Sequence, residues 1–83
     1  MAKAPTPEQN ARKILSILRA YGCQVGQGMQ FPAIQVNFIN DGGSNAEMEA
    51  GLKYAGEKDW IAKGNHNFIL LTVNGFGEAL YRT

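Results

Sequence analysis

The sequence predicts a small α+β domain in which three helices are followed by a two-stranded β-hairpin and a short C-terminal helix. Two capping boxes, Thr6–Gln9 and Ser44–Glu47, each precede a segment with a helical spacing of apolar residues. Two short runs rich in β-forming residues flank a polar turn near the C-terminal end. Because 83 residues suffice for one domain, we expect a single domain over residues 1–83 that starts with a flexible leader, residues 1–5.

Composition and charge place the chain among globular proteins without indicating a partner. Its hydrophobic fraction of 45% excludes wholesale disorder, and its net charge of +1 gives no general attraction to nucleic acids or membranes. The single cysteine, Cys23, cannot form an internal disulfide and is expected to be a small, partly buried apolar residue. The N-terminus lacks the apolar run of a signal peptide, and the longest apolar run, Phe68–Leu71, is far shorter than the roughly 20 residues of a membrane span. We therefore expect a cytoplasmic protein.

The first helix has the clearest signals. Thr6 is the expected N-cap, Pro7 suits the first helical position, and Gln9 completes the capping box. The apolar positions that share one side of this helix are Ala11, Ile14, Leu15, Leu18 and Tyr21. Gly22 is expected to end the helix in a left-handed conformation. The glycine-containing segment that follows, Gly22–Gly28, lacks the Lys-Ser/Thr of a phosphate-binding loop, so we expect a flexible connection.

The segment Met29–Asn40 allows two interpretations. Ile34, Val36 and Phe38 alternate with polar residues, which is typical of a half-buried strand. Pro32 would suit the first turn of a helix, and the spacing of four between Ile34 and Phe38 also fits a helix. Local propensity favours the strand, whereas the order of the surrounding elements favours the helix. The sequence alone leaves Pro32–Asn40 open.

A second capped helix is predicted from Ser44 to about Lys58. Its core positions are Met48, Leu52 and Ala55, and Gly51 beside them would allow another helix to approach closely. The opposite side carries Ala46, Ala50, Lys53 and Glu57.

The C-terminal part predicts a hairpin and a last helix. Strands are expected at Trp60–Ala62 and Phe68–Thr72, joined by a turn at Lys63–Asn67. Thr72 or Asn74 would then cap a short final helix.

The segments Gly51–Ile61 and Leu70–Phe76 resemble the winged helix-turn-helix superfamily. In that superfamily the second helix of the motif ends in charged residues, an aromatic residue or glycine, and Ile, and a Leu-Thr-x-x-Gly junction follows the wing. Leu71, Thr72 and Gly75 match this junction. The resemblance covers most of the chain and implies an α+β winged helix-turn-helix fold, with three helices followed by a two-stranded β-hairpin wing and a short C-terminal helix.

The resemblance implies a transcription-regulator-like module that binds double-stranded DNA, with the Ser44–Lys58 helix in the major groove. Lys53 would contact a phosphate or a guanine, and Tyr54 the DNA backbone. Ser44 and Asn45 would lie near phosphate at the helix N-terminus, and the turn would form the wing. The candidate DNA-binding residues are Ser44, Asn45, Glu49, Lys53, Tyr54, Lys63, Asn65 and His66. A homodimer is expected, because so small a domain contacts few base pairs alone.

The distribution of charge keeps a second function open. The segment Ser44–Lys63 carries three lysines against four acidic residues, whereas the basic excess lies in the first helix and its leader. Glu49, Lys53 and Glu57 can also form a ladder of i,i+4 ion pairs on a solvated helix face. The alternative is therefore a winged-helix module that binds a protein partner, or is purely structural, and does not bind DNA.

We expect no catalysis, cofactor or metal. Glu47 and Glu49 diverge on a helix and cannot form a catalytic pair. His66 is the only histidine and is predicted on an exposed turn, and one histidine with the distant Cys23 does not make a metal site. The sequence therefore does not predict an enzyme.

Overall fold

The computed structural model describes residues 6–82, with side chains through residue 79. The predicted leader, residues 1–5, lies outside this range. The helices are α1 (Pro7–Ala20), α2 (Phe31–Asn40), α3 (Asn45–Glu57) and α4 (Val73–Arg82), and the strands are β1 (Gly28–Gln30), β2 (Ile61–Lys63) and β3 (Phe68–Leu71). A 3-10 turn, Asn65–Asn67, joins β2 to β3. None of the helices within residues 6–82 combines the length and the apolar character needed to cross a membrane.

The predicted α+β class is confirmed, and β2 and β3 pair as the predicted antiparallel hairpin. The predicted number of strands is wrong, because within the described residues a third strand, β1, pairs with the other edge of β3. The order of this antiparallel sheet is β1–β3–β2, with Met29 opposite Ile69 on one side and Ala62 opposite Leu70 on the other. Strand β1 begins at Gly28, the last residue of the connection predicted to be flexible, and its other two residues come from the start of the Met29–Asn40 segment. Three residues are too few to show alternation, and β1 forms because β3 supplies its hydrogen-bonding partners, which lie far along the chain.

Helix α1 forms as its capping box predicts, with one error in its apolar side. Both hydrogen bonds of the Thr6–Gln9 box are present, and Gly22 follows the helix with a φ of 78°. The predicted core residues Ala11, Ile14, Leu15 and Leu18 are buried. Tyr21 is instead 61% exposed, because it is the C-cap and its hydroxyl accepts a hydrogen bond from Asn37 Nδ2 at 3.1 Å.

The segment Pro32–Asn40, which the sequence allowed to be either a strand or a helix, is helical and belongs to α2. Ile34 and Phe38 are both 0% exposed, while Val36 between them is 57% exposed. A strand would have placed all three residues on one face, whereas a helix buries the pair spaced by four and turns Val36 outward. Pro32 lies in the first turn of α2, as the helical interpretation requires.

Close contact between α1 and α3 sets the position of α3, and Gly51 makes it possible. A Cβ atom at Gly51 would lie 2.7 Å from the backbone carbonyl carbon of Asn10, closer than any side chain tolerates. The expected close approach at this glycine is therefore present. Met48 and Ala55 are buried on the same side, and Leu52 packs against the core at its edge.

Thr72 and Gly75 have separate roles at the junction between β3 and α4. The Gly75 N–H donates a hydrogen bond to Thr72 Oγ1 at 3.1 Å, so Thr72 rather than Asn74 caps the helix. The Thr72 hydroxyl in turn donates to the carbonyl oxygen of Asp59. A Cβ at Gly75 would lie 2.0 Å from the carbonyl oxygen of Trp60, so this position must lack a side chain. The junction thereby fastens α4 to the segment that links α3 to β2.

Candidate nucleic-acid interface

A half-open groove of about 550 Å³ lies between α3 and the β2–β3 hairpin, with the start of α2 at one end. We call it the α3–hairpin groove. Its lining residues are Phe31, Glu49, Leu52, Lys53, Gly56, Ile61, Ala62, Lys63, Gly64, Asn67, Phe68 and Ile69. Most of these side chains are apolar, and the charged ones are few. The groove therefore combines an apolar floor with a small number of polar groups.

Three of the eight candidate residues line this groove. Glu49 and Lys53 are one turn apart on α3, and Lys63 ends strand β2 on the facing hairpin. Lys53 and Lys63 are ten residues apart in the sequence and belong to different elements, and folding places both in the lining of one groove. A linear polyanion lying along the groove could therefore contact cations on both of its sides.

The two groove lysines make no ion pair with any residue in the described part of the chain. Both are exposed, and the described ion pairs all involve Arg12 or Lys13. The ladder predicted from Glu49 through Lys53 to Glu57 does not form at ion-pair distance. Lys53 and Lys63 therefore have their ammonium groups available for an external anion.

Two cationic side chains of α1, Arg12 and Lys13, form ion pairs with other residues of the protein. Arg12 contacts Glu8 at 3.0 Å and Glu78 at 2.9 Å, and its guanidinium lies 4.9 Å from the centre of the Trp60 ring. Burial disfavours the charged form, but the hydrogen bonds and negative charges of Glu78 and Glu8 outweigh it and raise the pKa of Arg12.

Lys13 is also paired, since it lies 3.5 Å from Asp41 and over the ring of Phe38. Much of the basic excess that the sequence shows in the first helix is thus neutralised by internal partners.

Replacing Arg12 with alanine is expected to lower the free energy of unfolding by about 1–3 kcal/mol, because its charged contacts with Glu8 and Glu78 and its contact with Trp60 are lost. Urea denaturation followed by circular dichroism measures the change. Lys13→Ala is the matched control on the next residue, and we expect its more exposed ion pair to contribute about 0–1 kcal/mol. Equal losses for the two variants would contradict the structural role given to Arg12.

Three other candidate DNA-binding residues, at or near α3, make contacts with other residues of the domain. Ser44 Oγ accepts the hydrogen bond of the Glu47 N–H at 3.2 Å, and Asn45 Oδ1 accepts from Gln35 Nε2 at 2.8 Å. Tyr54 lies on the side of α3 away from the groove. Its ring packs edge-on against Trp60 at 5.5 Å.

Asn65 and His66 form an exposed hairpin tip. His66 and Asn67 both have positive φ angles, 58° and 62°, a conformation in which Asn and His are enriched. The Phe68 N–H donates to the carbonyl oxygen of Asn65, and the Gly64 N–H donates to the carbonyl oxygen of Phe68 at 2.8 Å. The tip is therefore a tight turn that extends beyond the groove. Within residues 6–82 no group of histidine, cysteine and carboxylate side chains is arranged to hold a metal.

Sequence reasoning missed the apolar part of the groove. Phe31 and Phe68 are half-buried and come from the start of α2 and the start of β3. The signal for Phe68 is present in the sequence, because alternation in β3 buries Ile69 and Leu71 and leaves Phe68 on the other face. No local signal places Phe31 in the same groove, since its position depends on how α2 packs.

Comparisons with known proteins do not assign a family. The chain matches no family model, and neither the curated proteins nor the solved structures contain a match.

Proposed function

We propose that this protein is a winged-helix domain that binds double-stranded DNA with α3 and the β2–β3 hairpin. The observation that carries the proposal is the position of Lys53 on α3 and Lys63 on the hairpin, where both line one groove and neither forms an ion pair with a described residue. The order of helices and strands, with a hairpin beside the third helix, also supports it. The function is gene regulation without catalysis.

The exposed side of α3 suits close approach to a DNA groove. Ala46 is exposed and Ala50 half-exposed, so small side chains face solvent on the same side as Lys53. A helix with such a face can lie deep in the major groove while its lysine contacts a phosphate or a guanine edge. Lys63 and His66 on the hairpin would then contact the adjacent backbone.

Binding by one copy is expected to be weak and strongly dependent on salt. Two available lysines neutralise few phosphates, and each phosphate contact contributes a slope of about −0.9 in the plot of log K against log salt. A homodimer would double the number of these contacts, which is why we propose a dimer on DNA.

The prediction for this function is that Lys53→Ala and Lys63→Ala each weaken duplex binding several-fold and reduce the salt slope by about one. Fluorescence anisotropy with a labelled mixed-sequence duplex, titrated at several salt concentrations, measures both quantities. Lys58→Ala is the matched control, because it removes the same charge from the end of α3. Its ammonium group lies 5.6 Å from the Tyr54 ring on the other side of the helix.

Equal losses in all three lysine variants would refute the placement of DNA at α3 and the hairpin. No binding at low salt would refute the DNA proposal altogether. The second candidate, a module that binds a protein partner, would then be favoured. Its supporting observation is the apolar floor of the α3–hairpin groove, where Phe31, Leu52 and Phe68 remain partly exposed.

A further inference from the structure

We propose that the α3–hairpin groove binds an unpaired nucleobase, while Lys53 and Lys63 hold the phosphates on either side of that base. This inference rests on the proposed DNA-binding function and specifies what part of a nucleic acid enters the groove. The lysines alone would suit any polyanion. The apolar floor between them indicates a ligand that also carries a flat, poorly hydrated group.

Two aromatic rings contribute to the apolar floor of the groove. Phe31 and Phe68 both line it and are half-buried, so part of each ring is open to solvent. The backbones of these two residues come close together, because Gln30, which precedes Phe31, pairs with Phe68 in the β1–β3 register. Stacking of a base on an aromatic side chain is the main attraction in sequence-tolerant binding of unpaired nucleotides.

The polar groups around the floor match a nucleotide in charge and hydrogen bonding. The ionisable side chains in the lining are Lys53, Lys63 and Glu49, a net positive set that favours an anionic ligand. Asn67 offers both a donor and an acceptor, and Glu49 offers an acceptor. These are the groups that recognise the edges of bases in nucleic-acid complexes.

The size of the groove suits a single base, and base stacking keeps the bases of an intact duplex out of it. A volume of about 550 Å³ falls within the range of small-ligand pockets, which runs from about 300 to 1,000 Å³. Bases in an intact duplex are stacked inside the helix and cannot reach the floor between α3 and the hairpin. A base that is unpaired, or turned out of the stack, can enter while its backbone remains at the lysines.

The test compares three labelled DNA probes by fluorescence anisotropy at one salt concentration. The first is an intact duplex, the second the same duplex with one extrahelical thymidine, and the third the same duplex with an abasic residue at that position. We expect the extrahelical thymidine to bind about tenfold more tightly than either of the other probes, in keeping with stacking on one or two rings. Equal binding of the thymidine and abasic probes would overturn the inference.

Variants then assign the effect to the groove. Phe68→Leu keeps an apolar side chain but removes the ring, so it should abolish the preference for thymidine and leave affinity for the intact duplex within about twofold. Phe31→Leu should act in the same way, and Lys58→Ala should leave the preference unchanged. Thermal unfolding by circular dichroism identifies any variant that fails to fold. A preference that persists in folded variants lacking either ring would also overturn the inference.

The outcomes separate the two proposals. Tight binding of the intact duplex with no contribution from the thymidine would leave the DNA-binding function standing and overturn the nucleobase site. A labelled single-stranded thymidine oligonucleotide is titrated as a further probe, and its binding without binding of the intact duplex would do the opposite. Absence of binding to every DNA probe would overturn both proposals. If a labelled acidic peptide with apolar residues bound instead, the groove would be a site for a protein partner.

Discussion

Replacing Phe38 with alanine is expected to lower the free energy of unfolding by about 3–5 kcal/mol, the usual cost of removing a buried aromatic ring. Phe38 is 0% exposed, and its ring fills the space beneath the turn between α2 and α3. Even a Cβ atom at Gly43 would lie 2.1 Å from this ring. A domain of this length has a total stability of roughly 4–12 kcal/mol, so the loss removes between about a quarter and all of it.

Val36→Ala is the matched control for Phe38→Ala. Val36 lies two residues earlier on α2 but is 57% exposed, so we expect its free energy of unfolding to change by less than about 0.5 kcal/mol. Urea denaturation followed by circular dichroism measures both variants. If the segment were a strand, the two side chains would share a face and their losses would be comparable. Comparable losses would therefore contradict the helical structure of Phe31–Asn40.

The difference between α2 and the capped helices shows which parts of this fold the sequence could predict. The capping boxes at Thr6 and Ser44 act through hydrogen bonds between residues three positions apart, so their signal is local and both helices were predicted. In α2 the β-branched and aromatic residues favour a strand locally. Burial of Ile34 and Phe38 against the core outweighs that preference, as tertiary contacts often do.

Strand β1, unlike the capped helices, has no local signal in the sequence. Its three residues include a glycine and one buried side chain, Met29, and its hydrogen bonds go to β3, which is far along the chain. Nothing in Gly28–Gln30 itself distinguishes a strand from a loop. Short edge strands of this kind are specified by the partner strand, so a sequence without information on contacts does not reveal them.

The candidate site was predicted in its charges but not in its shape. Lys53 and Lys63 could be named from their predicted helix and turn, and the structure places both on one groove. A net charge summed over the sequence gives Arg12 the same weight as Lys53 and Lys63, although Arg12 is paired with Glu8 and Glu78. The net charge therefore hides the two lysines that are available for binding. Formal charge becomes informative about binding only when internal ion pairs have been removed from the count.

Replacing Gly51 with alanine is expected to destabilise the protein by about 1–3 kcal/mol, although alanine favours helices over glycine. The new methyl group would lie 2.7 Å from the Asn10 carbonyl carbon and 2.9 Å from the Ala11 nitrogen. Both atoms belong to the backbone of α1, so no side-chain rotation relieves the contact and the two helices must separate.

The same substitution at Gly56, in the last turn of α3, is expected to have the opposite sign. No described atom lies within 4 Å of a Cβ at Gly56, so only the helix-propensity gain of up to about 1 kcal/mol remains. Measuring Gly51→Ala and Gly56→Ala together by urea denaturation tests packing against propensity within one helix. Stabilisation by both alanines would mean that α1 and α3 do not approach as closely at Gly51 as the structure places them. A loss confined to Gly51→Ala would show that this glycine sets the position of α3, and with it that of Lys53 on the proposed DNA-binding surface.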